Sequence, residues 1–143
     1  MSDADKKAEA LMQGLQREQC YLIMMRPAEN PPAPPKPQAE MRLEHHDFLV
    51  EMERTGVLFA AGPCRDDEGW VRGTGLLIFR AASRAEATRL AMEEPYTKYG
   101  QRDIEVIPWQ RNEGNMQMTI NLADGVLSID RRSWKLSAPE QAE

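Results

Sequence analysis

Imidazole is the side chain best suited to moving protons near neutral pH. This chain carries two, His45 and His46, adjacent in the sequence. Neighbours on a helix point about 100° apart, so the pair cannot close on one metal ion. Neither a His-x-x-x-His nor a Cys-x-x-Cys spacing occurs, and a metal site is not expected. The two histidines differ in setting. His45 falls in line with Met41, Phe48, Leu49, Met52 and Thr55 at helical spacing, whereas His46 falls to the flank beside Arg42 and Val50. Glu94 is a similar oddity. With Ala87, Leu90 and Ala91 it continues an apolar stripe, and it stands just before Pro95. A buried carboxylate is costly unless it has a partner. One reading is a His–carboxylate dyad, in which Glu94 orients the ring and stabilises its charged form for acid–base work. The other is a core histidine bonded to backbone groups, with Glu94 in a surface pair; periodicity alone favours this second reading. Whether His45 and Glu94 meet within one chain or across a dimer is open at this level.

The elements that would position these residues follow from hydrophobic spacing. Residues 3–18 read as a helix, with Ala4, Ala8, Leu11 and Leu15 in a narrow stripe and Gly14 as a weak point. Cys20–Met25 is an unbroken apolar run fit for a buried strand. Six of the ten prolines lie between Pro27 and Pro37, where neither helix nor central strand can form. A stiff surface loop over residues 26–39 is expected there. Residues 40–55 return to helix and Gly56 stops it. Val57–Ala61 is a strand ended by Gly62 and Pro63. A longer strand closes at Arg80. Ser83 and Glu86 form a capping box for a helix that runs to about Glu94 and stops at Pro95. Ile104–Trp109 is a fourth strand. The order βαββαβ predicts a ferredoxin-like α+β fold, an antiparallel sheet with strands one and three at its centre and both helices on one face. Beyond it, Met116–Asn121, a turn at Ala123-Asp124-Gly125 and Val126–Ile129 read as an added hairpin, and the tail from Ser137 as disordered. The expected organisation is a helical extension over 1–19, the ferredoxin-like domain over 20–110, and a hairpin and tail over 111–143.

The bulk numbers exclude several function classes. At 143 residues, a net charge of −5 and a pI near 5.2, the chain offers nucleic-acid phosphates no general attraction. No apolar run approaches the roughly 18 residues of a membrane helix, and the acidic start is no signal peptide. Cys20 and Cys64 fit no disulfide or zinc pattern and read as free thiols, so a cytoplasmic location is expected. No phosphate loop, nucleophile elbow or organic-cofactor motif occurs, and no cofactor is expected.

The central strands carry one more message. Leu22-Ile23-Met24-Met25 and Leu76-Leu77-Ile78-Phe79 are apolar at every step. Successive strand residues point to opposite faces, so both faces of the sheet call for burial. Two helices cover only one. A homodimer packed sheet to sheet is the first expectation for the other, ahead of cover by the terminal extensions.

Four short motifs appear in order: Arg42-Leu43-Glu44-His45-His46-Asp47-Phe48-Leu49, then Gly56-Val57-Leu58-Phe59-Ala60-Ala61-Gly62-Pro63, then Gly73-Thr74-Gly75-Leu76-Leu77-Ile78-Phe79, and finally Glu94-Pro95-Tyr96-Thr97-Lys98-Tyr99-Gly100. Over residues 20–110 the chain resembles the YCII-related family. The resemblance implies a ferredoxin-like fold, a dimeric α+β barrel, and a small-molecule site built on a His–Asp pair. His45 matches the family histidine, and Glu94 stands where the family has aspartate, a longer side chain by one methylene. Arg42 in the first motif is a candidate clamp for a substrate carboxylate. Tyr96 is a candidate hydroxyl at the pocket, or a ring packed over the helix end. Two function classes follow. One is an enzyme of lyase, isomerase or dehydrohalogenase type, with His45 as base, Glu94 as its orienting carboxylate, and Arg42 or Tyr96 holding a small organic substrate. The alternative is a non-catalytic small-molecule-binding or accessory protein using the same pocket.

Overall fold

A computed structural model describes residues 1–15, 17–123, 125–129 and 132–135. The chain divides into two compact units, the first ending at Asn112 and the second starting at Glu113. The first holds α1 (Asp3–Gln13), β1 (Glu18–Pro27), α2 (Gln38–Arg54), β2 (Leu58–Arg65), β3 (Val71–Phe79), α3 (Arg84–Met92), α4 (Pro95–Lys98) and β4 (Arg102–Arg111). Its four strands are ordered β2-β3-β1-β4 and pair antiparallel throughout. This is the ferredoxin-like α+β arrangement, with strands one and three at the centre as the element order requires. Among the described residues no helix is long and apolar enough to cross a membrane.

One face of the sheet is the core. Tyr21, Ile23 and Met25 project from β1, with Phe79 and Leu77 opposite Tyr21 and Ile23 on β3, and Val106 opposite Ile23 on β4. Ala87 and Ala91 of α3 and the half-buried Phe48, Leu49 and Met52 of α2 close over them. Phe79 is fully buried; truncating such a ring to alanine costs about 3–5 kcal/mol. The opposite face carries Leu22 and Met24 of β1 and Leu76 and Ile78 of β3, each only half-buried, while Ile107 of β4 is exposed. The apolar-at-every-step strands therefore fill one core and leave a second apolar face.

The helices end where local chemistry says. Gly56 takes a positive φ of 78° after the Thr55 cap of α2, a conformation glycine adopts without a Cβ penalty. The Ser83 hydroxyl accepts from Glu86 N at 3.1 Å, while the Glu86 carboxylate reaches back to Ala82 N at 2.7 Å. α1 stops at Gln13, short of the expected residue 18, and buries none of its residues. Its own N-terminus is capped by Ser2 and Asp5.

Two boundaries differ from expectation in ways that matter. β2 does not end at Gly62 and Pro63 but runs on to Arg65. It is an edge strand, and a proline missing its N–H is tolerated there, next to the register shift after Pro63. α3 ends at Met92 rather than Glu94, and Pro95 opens a separate helical turn.

The proline-rich segment between β1 and α2 is tied down at several points. Ala28 N donates to Gln101 O, and Gln101 Nε2 donates to Pro32 O, both at 3.0 Å. A Cβ on Gly100, whose φ is 68°, would lie 3.2 Å from the Pro32 ring. Lys36 pairs with Glu44 and lies over the Tyr99 ring. The second unit contains a three-stranded antiparallel sheet, β5 (Met118–Asn121), β6 (Val126–Ile129) and β7 (Arg132–Lys135). The expected hairpin is its first two strands. Asp124 of the predicted turn and the tail from Ser137 lie outside the described residues.

Candidate functional site

Pro95 explains how Glu94 comes to be buried. A proline ring disfavours the helical region for the residue before it, and Glu94 has φ −60° and ψ 128°, an extended conformation. The glutamate thus leaves the α3 stripe on which its spacing placed it and becomes the N-cap of α4. Its carboxylate turns back over the first turn. Oε1 accepts from Tyr96 N at 3.1 Å, and Oε2 accepts from Thr97 N at 2.9 Å and from Thr97 Oγ1 at 3.0 Å. Pro95 at N1 has no N–H to leave unsatisfied.

The remaining position on Oε1 goes to His45. Its Nδ1 lies 2.6 Å from Glu94 Oε1 within the same chain, so the pair is formed without a second protomer. Glu94 is fully buried, and the His45 side chain is 23% exposed. Burial pushes the Glu94 carboxyl upward. The hydrogen bonds from His45, Tyr96 N and Thr97 N, with the coulombic effect of His45, outweigh it and hold the pKa below the usual carboxylate value. An ionised carboxylate only accepts. Nδ1 must therefore carry the proton of the His45–Glu94 bond. In the neutral ring this leaves the Nε2 lone pair for chemistry. The extra methylene of glutamate does not stop the side chain from capping α4 and holding the histidine together.

Tyr96 supports the ring from another side. It is buried and meets the His45 imidazole edge-on, with centroids 5.5 Å apart and planes at 64°. Its hydroxyl accepts from Gln38 Nε2 at 3.1 Å. It borders a smaller cavity with Gln38, Met41 and Arg102, separate from the one His45 lines. Tyr96 thus packs its ring against His45 and borders the smaller cavity rather than the one His45 lines.

His45 and Arg42, one helical turn apart on α2, line a cavity of about 460 Å³ closed by β2 and β3 and by Arg102 at the start of β4. That volume suits a small organic molecule. Met25, Leu49 and Leu77 give it apolar walls. His46 is exposed, 3.9 Å from Asp47, and takes no part. Among the described residues no cluster of three or more His, Cys, Asp or Glu side chains could hold a metal.

Sequence reasoning therefore named His45, Glu94, Arg42 and Tyr96, and the structure brings all four to one end of the sheet. It missed Arg102, Thr97 and Gln38. Thr97 had little signal, since a capping box places the hydroxyl residue first and the acid three positions on, and Glu94-Pro95-Tyr96-Thr97 has the reverse order. Arg102 had none short of the strand register, which sets it opposite Pro27 on β1.

The family model of the YCII-related domain matches residues 20–110, well over half of the chain. No curated protein matches.

Proposed function

The chain belongs to the YCII-related family, and on that premise we propose that it is a cofactor-independent acid–base catalyst acting on a small organic acid. His45 Nε2 takes a proton from a substrate carbon. In an elimination the C–H electron pair becomes a double bond and expels the leaving group; in an isomerisation the proton returns to another carbon. Glu94 fixes the tautomer of the ring and stabilises the charge it gains. Such a base contributes about 10²–10⁴ in rate. Arg42 grips the substrate carboxylate, and Tyr96 steadies the imidazole. The observation that carries this reading is the 2.6 Å His45–Glu94 bond on the wall of an open cavity. Free thiols at Cys20 and Cys64 support the cytoplasmic setting.

The test is proton exchange, which needs no knowledge of the final product. Small carboxylic acids with acidic C–H bonds are incubated with protein in deuterated water and followed by NMR. Faster exchange with the native chain than with His45→Gln is expected for at least one acid. Equal rates throughout would sink the enzymatic reading. A second reading has its own observation: Glu94 is fully employed as the cap of α4, a structural duty that needs no reaction. In that case the cavity binds a ligand without turnover, and His45→Gln changes affinity alone.

The half-buried Leu22, Met24, Leu76 and Ile78 and the exposed Ile107 support a further part of the proposal, a homodimer through that sheet face. Sedimentation equilibrium showing a monomer at micromolar concentration would remove it.

A further inference from the structure

Among the described residues, the cavity beside His45 is bordered by three nitrogen-bearing side chains and by no carboxylate, in a chain whose net charge is −5. Arg42 arrives from α2 and Arg102 from the first residue of β4. Neither makes an ion pair or a side-chain hydrogen bond among the described residues. Arg102 instead lies with Cζ 4.3 Å from the centroid of the Tyr96 ring, and Tyr96 is itself held by Gln38. A guanidinium over an aromatic face keeps its in-plane N–H fork available for oxygen atoms. Its ordering cost is met by the fold before any ligand arrives, which favours tight recognition. The other walls that matter, Met25, Leu49 and Leu77, are apolar.

Two free forks on a wall whose remaining side chains are apolar except for His45 and Thr74 call for a molecule with two anionic groups joined by an apolar body. A phosphate site would offer backbone N–H groups from a glycine-rich turn or a helix start. The lining glycines, Gly62 and Gly75, sit in paired strands instead. We propose that the cavity takes a small dicarboxylate, with Arg42 on one carboxylate and Arg102 on the other, and that Arg102 sets the preference for a dianion over a monoanion. This rests on the reading of the cavity as the substrate site and adds the class of substrate.

The experiment is NMR titration of the full chain with phthalate, glutarate, benzoate and inorganic phosphate. Native protein should bind phthalate at least about tenfold more tightly than benzoate, about 1.4 kcal/mol. Arg102→Gln should abolish that advantage, lowering phthalate affinity far more than benzoate affinity. Arg102→Lys, which keeps the charge and loses the fork, should restore only part of it. Thermal melts confirm that each variant is folded. A phthalate preference that survives Arg102→Gln would overturn the inference, as would phosphate binding as well as phthalate, or no saturable binding of either dicarboxylate up to about 20 mM. Arg42→Gln separates the two layers. If it weakens phthalate and benzoate while Arg102→Gln affects neither, the site stands and the dianion inference falls. If Arg42→Gln and His45→Gln also affect neither, the substrate-site reading itself fails.

Discussion

Two glutamates of the same domain sit in contrasting company. Glu18, at the start of β1, faces two arginines: Arg80 Nε at 2.5 Å and Arg111 Nη2 at 3.3 Å. Both arginines also lie near the Phe59 ring. Among the described residues Glu94 faces no permanent cation. Its four donors are two backbone N–H groups, a hydroxyl and an imidazole. Guanidinium stays protonated at any physiological pH, so Arg80 and Arg111 offer Glu18 two fixed positive charges that brace the end of the sheet. The Glu94 cluster includes a group that can gain a proton and release it. A carboxylate partnered by arginine is locked electrostatically; one partnered by histidine and amides is held geometrically and left free to respond.

The sharpest way to break this contrast is Glu94→Ala. It strands two N–H groups, a hydroxyl and an imidazole nitrogen in or near the core, and should cost about 3 kcal/mol in urea unfolding, a large share of an ordinary domain's stability. A cost below that of the matching change at Glu18 would invert the comparison. Next, His45→Ala removes one donor of four and should cost about 1–2 kcal/mol while abolishing proton exchange; retained exchange would make the histidine structural. Glu18→Gln, in a half-exposed cluster, should cost about 1 kcal/mol or less, with no effect on exchange. The last effect is one of pH. The native Glu94 carboxyl titrates below the usual carboxylate value, so its stabilisation is complete above that ordinary value and fades as pH falls through the lower native one. The urea midpoint should therefore drop more steeply for the native chain than for Glu94→Gln over that acid range. Parallel curves would mean that the cap is indifferent to ionisation.

Much of the fold was legible because it rests on local patterns. Glycine stops, the Ser83 cap and apolar runs mark elements wherever they occur, and element order then dictates the sheet. The site was legible by residue type and not by mechanism. His45 stood out against the apolar stripe of α2, and α2 is a continuous helix, so its spacing held. Glu94 stood out by the same reasoning, but the stripe it extended ends at Met92, and the glutamate reaches the interior as a cap. Spacing pointed to a residue that is indeed buried, for a reason that Pro95 cancels. Arg102 was invisible because only the β1–β4 register brings it near residues so distant in sequence.

The double duty of Glu94 has a consequence for how such a site would drift over generations. Selection for a folded chain alone would retain the carboxylate, since losing it unpins a turn of helix. Nothing of comparable weight would retain the imidazole in a chain that made no chemical use of it. In any lineage built this way the histidine is the residue that records continuing use, and the acid beside it records only descent.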